Sequence, residues 1–212
     1  MELVAKGDFV KISFEGKADG VVFDKTAPGK SVLVPAGNGQ LIAGLDEAIV
    51  GSALGEKKNV SIPPEKAFGQ RNPEYVRLVP LSQFQQSGMT PVVGQVVELD
   101  GVKARVQSVS GGRVRVDFNH ELAGKTLLYE FTVEAKFTDN AAKLDALVKD
   151  LLPGSSAKLD GTIATIVVPS SVRKDGNFVM SKARLLDTAL NNGVASKAFV
   201  TEEYEAAKAQ SA

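Results

Sequence analysis

GNGQLIAGLDEAIVGSALGEKKNVSIPPEKAFG, residues 37–69, decides how the rest of this 212-residue chain is read. It divides into a glycine turn, one short helix and an extended return. Leu41, Ile42, Leu45 and Ile49 recur at i, i+1, i+4 and i+8, the spacing of one helical face, which leaves Asp46 and Glu47 for the wet side. Gly51 can end the helix, because glycine accepts the left-handed conformation of a C-terminal cap. Pro63 and Pro64 exclude helix and keep the chain extended, returning Ala67, Phe68 and Gly69 toward the apolar side. The product is an aliphatic floor with an aromatic at its rim and no acid, base or nucleophile aimed into it. Such a slot takes an apolar guest.

Composition narrows the class of protein. Hydrophobic residues make up 43% and charged residues 24%, enough apolar mass to bury a core in two or three small domains. Lysine plus arginine equals aspartate plus glutamate at 25 each, so no overall charge draws the chain to nucleic acid, membrane or acidic ligands. With no cysteine, disulfides, thiolate metal sites and thiol nucleophiles are excluded. No apolar run approaches a membrane span and the N-terminus MELVAKGDFV is not a signal, so a cytoplasmic protein is expected.

Outward from the central stretch, residues 1–36 read as strands. Phe9, Ile12 and Phe14 alternate imperfectly with polar neighbours, Asp19-Gly20 is a hairpin signal, and Val32 and Val34 are expected to point inward. Past Gln70, residues 95–99, 102–109 and 113–118 form three alternating strands joined at Asp100-Gly101 and Ser110-Gly111-Gly112, a small meander. Ahead of it, residues 76–89 carry Leu78, Val79, Leu81, Phe84 and Met89 with few charges, more apolar surface than so small a sheet buries. Beyond 139, Asp139 or Asn140 caps a helix with Leu144, Leu147, Val148, Leu151 and Leu152 on one face, stopped by Pro153-Gly154. An Asp160-Gly161 hairpin, a helix over 178–190 closed by Asn191-Asn192-Gly193 and a strand near 195–201 complete an αββαβ unit. At about 70 residues that unit is small for independent stability, so it is expected to pack on the rest of the chain or on a second copy.

The blocks Gly7-Asp8-Phe9-Val10, Phe14-Glu15-Gly16 and Asp19 to Asp24, followed by GxGQLIxGLxxAxxG and IPPExAFG, resemble FKBP-type peptidyl-prolyl isomerases. Asn119 to Lys125 (NHxLAGK) and Thr126 to Ala135 (TLLYEFTVEA) are similar to the closing signature of the SlyD-like group. The resemblance implies an α+β fold: an FKBP-like antiparallel half-barrel around a short helix, with a small all-β insert and an α+β C-terminal domain. It implies an isomerase domain from residues 1–74 and 121–138, an insert-in-flap domain over 75–120 and a C-terminal domain over 139–212 like that of archaeal-type long FKBPs. It places Phe14, Phe23 and Asp24 on the pocket lining, Leu41, Ile42 and Leu45 at its base, and Phe68 and Tyr129 as walls. Leu78, Leu81, Phe84 and Met89 of the insert would hold unfolded chains.

The activity so implied is X-Pro isomerisation with chaperone action on unfolded or proline-containing polypeptides, using no cofactor and no metal, with a homodimer through the C-terminal domain as the family's pattern. Phe14 and Phe68 stand where tyrosine is usual, and Leu45 replaces the tryptophan of short FKBPs. The SlyD histidine- and cysteine-rich tail is absent, with one histidine in the chain, so nickel storage is not carried over. Other readings stay open at this point. Asp24 either polarises the twisted amide or holds strands at a turn, and His120 is a base, a ligand or a turn residue. The basic residues Lys103, Arg105, Arg113 and Arg115 are a solvated strand face or, without aromatics for base stacking, a poor RNA contact. A non-catalytic holdase is the alternative function, with a nucleic-acid adaptor behind it.

Overall fold

Period-2 patterning, Asp-Gly turns and one capped helix give most of the elements. In chain order they are β1 (Phe9–Ala18), β2 (Val21–Lys25), β3 (Val32–Pro35), α1 (Ala43–Ile49), β4 (Lys57–Ile62), β5 (Val76–Pro80), α2 (Leu81–Gln86), β6 (Val96–Leu99), β7 (Val102–Ser110), β8 (Arg113–Asp117), β9 (Leu127–Phe137), α3 (Asn140–Leu151), β10 (Ser156–Asp160), β11 (Ile163–Val168), α4 (Ser170–Arg173), α5 (Phe178–Asn191) and β12 (Lys197–Glu202). This computed structural model describes residues 2–204; residue 1 and residues 205–212, the end of the expected C-terminal domain, lie outside the described residues. They form two compact units, one of residues 2–17, 22–60 and 128–204, the other of residues 18–21 and 61–127.

The first unit holds a sheet in the order β2-β1-β9-β4, with β3 also pairing antiparallel to β1. Val10 lies opposite Val34, both buried on one face, while Leu33 is buried on the other. Val32, expected to point inward with Val34, is instead 39% exposed. Val32 opens the strand, where cover on the Val34 face has stopped. The opposite face is covered as well: Leu33 and Phe9 belong to the same core as Leu144, Leu147, Val148, Ile166 and Leu185. The C-terminal segment therefore packs on β1 and β3. Its helix α3 starts at Asp139, whose carboxylate accepts from the Ala142 amide at 2.8 Å, a side-chain N-cap. Its sheet runs β10-β11-β12, antiparallel and then parallel.

The second unit contains a four-stranded antiparallel sheet, β5-β8-β7-β6. Three of its strands match the expected meander; β5 is additional, pairing Val79 with Val114 and Leu78 with Arg115. Asp100 and Gly101 both sit at positive φ (52° and 77°), the turn that suits the right-handed twist of a hairpin. One face packs Val97, Ala104, Val106, Val114 and Val116 around Phe84, which is fully buried. Phe84 was expected on an exposed holding surface and is corrected here to core, because α2 turns its one large ring down onto the sheet. Leu81 and Met89 pack at the edge of the same cluster, and Leu78 stays 62% exposed. The architecture is thus α+β with mainly antiparallel sheets. Among the described residues no helix is long and apolar enough to cross a membrane.

Candidate functional site

In the first unit, Tyr129 on β9 is the centre of an aromatic group. Its ring lies 5.8 Å from Phe14 and 5.7 Å from Phe23, tilted in the first case and edge-on in the second, arrangements that ring quadrupoles favour. Tyr129 is buried, whereas Phe14 and Phe23 are half-buried. The rings close over Gly16, where a Cβ atom would come within 2.9 Å of both Phe23 Cζ and Tyr129 Cε1. Only a residue without a side chain fits there, the usual meaning of glycine inside a strand. Thr26 fixes the backbone of Phe14: its hydroxyl accepts from the Phe14 amide at 3.1 Å, and its own amide donates to the Phe14 carbonyl at 3.0 Å.

Burial pushes the Tyr129 hydroxyl up to about 12, with the negative charge of Asp24 adding to the shift. The phenol therefore stays neutral through the whole physiological range. Asp24 itself is exposed, and its charge is felt at the Tyr129 hydroxyl. Leu45 of α1 is 2% exposed, while Leu41 and Ile42 just ahead of the helix are half-buried.

Asp46 departs from expectation. Placed on the wet side by helical spacing, it is 5% exposed, and its carboxylate accepts from the Gly37 and Gly39 amides at 2.7 Å each. A buried charge persists when backbone N–H groups satisfy it, and here it ties the glycine turn to α1. Helical periodicity carries no signal for such a partner.

Phe68 belongs to the second unit, where its ring stacks on His120 at 4.2 Å with the planes 1° apart. His120 Nδ1 accepts from the Leu122 amide at 3.2 Å, which assigns it to the turn-ordering alternative. The insert's basic side chains Lys103, Arg105, Arg113 and Arg115 share the face away from Phe84, but the charge is mixed: Glu98 lies opposite Lys103, and Arg105 is paired with Glu121. The exposed apolar side chains of the insert include Leu78, Val92, Val93, Val96 and Val102, of which only Leu78 was named from sequence. Among the described residues no three His, Asp or Glu side chains converge as metal ligands would.

The chain is similar to known proteins over both units. The FKBP-type peptidyl-prolyl cis-trans isomerase family matches residues 2–84, and the IF domain of FKBP26 matches residues 77–122. A short-type peptidyl-prolyl cis-trans isomerase from Methanocaldococcus jannaschii is 35% identical over 150 residues, covering 64% of this chain and 94% of that one. The FKBP-type isomerase SlyD of Helicobacter pylori is 30% identical over 137 residues, 63% of this chain and 74% of its own. An FKBP-type 16 kDa isomerase from Escherichia coli is 30% identical over 142 residues, 62% and 93% respectively.

Proposed function

The chain belongs to the FKBP-type peptidyl-prolyl cis-trans isomerase family and is a prolyl isomerase, and we propose that it catalyses at the aromatic group around Tyr129 and captures non-native chains through its insert. The observation that carries the first part is the closure of Phe14, Phe23 and Tyr129 over the bare backbone of Gly16. Rotation about a peptide bond faces a barrier of about 18–20 kcal/mol because conjugation is lost on twisting. The planar amide is the more polar state, so removing water from it raises the ground state relative to the twisted form. Each tenfold in rate corresponds to about 1.4 kcal/mol, so a thousandfold acceleration asks for about 4 kcal/mol. An apolar slot that fixes the proline ring supplies energy on that scale without proton transfer or a covalent step. Leu41 and Ile42 line the base beside Leu45. Asp24 favours the amide once its nitrogen loses conjugation, and Phe68 contacts the bound chain as the IPPExAFG resemblance implies.

The insert serves the isomerase by capturing the polypeptide. Leu78, Val92, Val93 and Val96 are the side chains proposed to do so, in place of the buried Phe84. Exposed apolar side chains on a small, separately cored sheet favour extended non-native segments without selecting one sequence. Proline-limited refolding of a protein substrate tests both parts when run beside a short X-Pro peptide assay. Substoichiometric catalysis of both is expected. Replacing Leu78, Val92 and Val93 together by serine should abolish the advantage on the protein substrate and leave peptide turnover intact; equal loss in the two assays would overturn the division of labour.

A further inference from the structure

We propose that the C-terminal segment is a working part of the isomerase site, with Asn192 as a positioning residue that acts through Asn38 on the loop leading into α1. This rests on the reading of Leu41 and Ile42 as pocket base. The loop, residues 37–40, passes directly into those two side chains. On its inner side Asp46 holds the Gly37 and Gly39 amides. Asn38 lies between these anchors and extends the other way, its side-chain amide donating to the Asn192 side-chain carbonyl. The loop is thereby held from both sides, by α1 and by the end of α5.

Asn192 is itself well fixed. It caps α5, its backbone N–H donates to the Thr188 carbonyl at 3.2 Å, and its side-chain amide donates to the same carbonyl at 2.7 Å. The next residue is tied to the start of α3, where Asn140 Nδ2 donates to the Gly193 carbonyl at 3.0 Å. Because α3 and α5 share one core with Phe9 and Leu33, the post that Asn38 leans on is rigid. The contact borders an open polar cleft of about 520 Å³ lined also by Lys6, Gln40, Asp187 and Asn191. It is a strut beside water and contributes little to the packed interior, so its removal should change the loop and leave the fold.

The experiment uses the full chain and a short X-Pro peptide. Removing one neutral hydrogen bond corresponds to about a 2- to 12-fold change, so Asn192→Ala and Asn38→Ala should each lower kcat/KM within that range with the unfolding midpoint barely moved. The double variant should be no worse than either single one, as expected for two ends of one contact. Asn38→Asp sets acceptor against acceptor at Asn192 and should lower turnover at least as far as Asn38→Ala, while leaving the bond from Asn192 to the Thr188 carbonyl in place. Amide exchange at Gly39 should quicken in Asn192→Ala. Phe23→Asn serves as the control on the pocket. If it destroys turnover while every Asn38 and Asn192 variant behaves as wild type, or if the two alanine losses simply add, the strut is overturned and the pocket stands. If Phe23→Asn turns over normally, the pocket reading has failed, and this inference with it.

Discussion

Two aromatic hubs of this molecule differ in what covers them. Phe84 in the insert is sealed by Val97, Ala104, Val106, Val114 and Val116, all buried, so its apolar surface is consumed by folding. Tyr129 is nearly as buried, yet its partners Phe14 and Phe23 are only half-covered and leave ring surface for a guest. Two buried rings thus differ in how open the rings or side chains around them are. The insert instead offers aliphatic side chains scattered over its exterior. The Tyr129 group gathers its open ring surface in one place.

The contrast is open to attack at both ends. Phe84→Ala should destabilise the insert by about 3–5 kcal/mol, the usual range for deleting a buried aromatic, with loss of activity on a refolding protein and survival of short-peptide turnover. Loss of peptide turnover as well, read beside a thermal melt, would show that the two hubs are not separable. Gly16→Ala forces a methyl group against Phe23 and Tyr129 and should cost about 1–3 kcal/mol of stability by overpacking, with peptide kcat/KM falling in parallel while chain capture is unaffected. Phe68→Tyr restores a donor and should tighten peptide binding by about 0.5–1.5 kcal/mol, measurable by calorimetry.

The smallest effect is alkaline. Because folding raises the Tyr129 hydroxyl to about 12 from an ordinary 10, the unfolded chain loses this proton first. The associated stability is complete below pH 10 and is lost as pH rises from 10 toward 12. Denaturation midpoints across that window should decline more steeply in the wild type than in Tyr129→Phe; parallel curves would remove the desolvated hydroxyl from the account.

Much of this was legible in the sequence, and the rest was hidden for physical reasons. Asp19-Gly20 and Asp100-Gly101 announced hairpins because few other pairs accept two consecutive positive φ values, and Asp139 announced a cap because a short acceptor before an apolar run has few other uses. The aromatic residues at 14, 23 and 129 were found through motif likeness; the structure brings their rings together. Phe84 was misplaced because amphipathic spacing does not reveal whether a partner sheet covers the apolar side. Leu33 was not picked out as core because α3 arrives from far along the chain to cover the second face of β3. Asp46 escaped because its partners are backbone amides, which have no letter in a sequence. The stack of His120 on Phe68 joins residues distant in the chain, and β5 was masked by Arg77 and Pro80 in a short strand.

The central claim, that an apolar ring group makes the twisted amide easier to reach, meets its most direct test at Phe23. The measurement is kcat/KM on a short X-Pro peptide for Phe23→Leu beside Phe23→Asn, two substitutions of similar size and opposite polarity. An unpaired polar group in an apolar site is worth about 1–3 kcal/mol, so leucine should keep turnover near that of wild type while asparagine loses about tenfold or more. Equal turnover in the two variants would contradict catalysis by desolvation at this site.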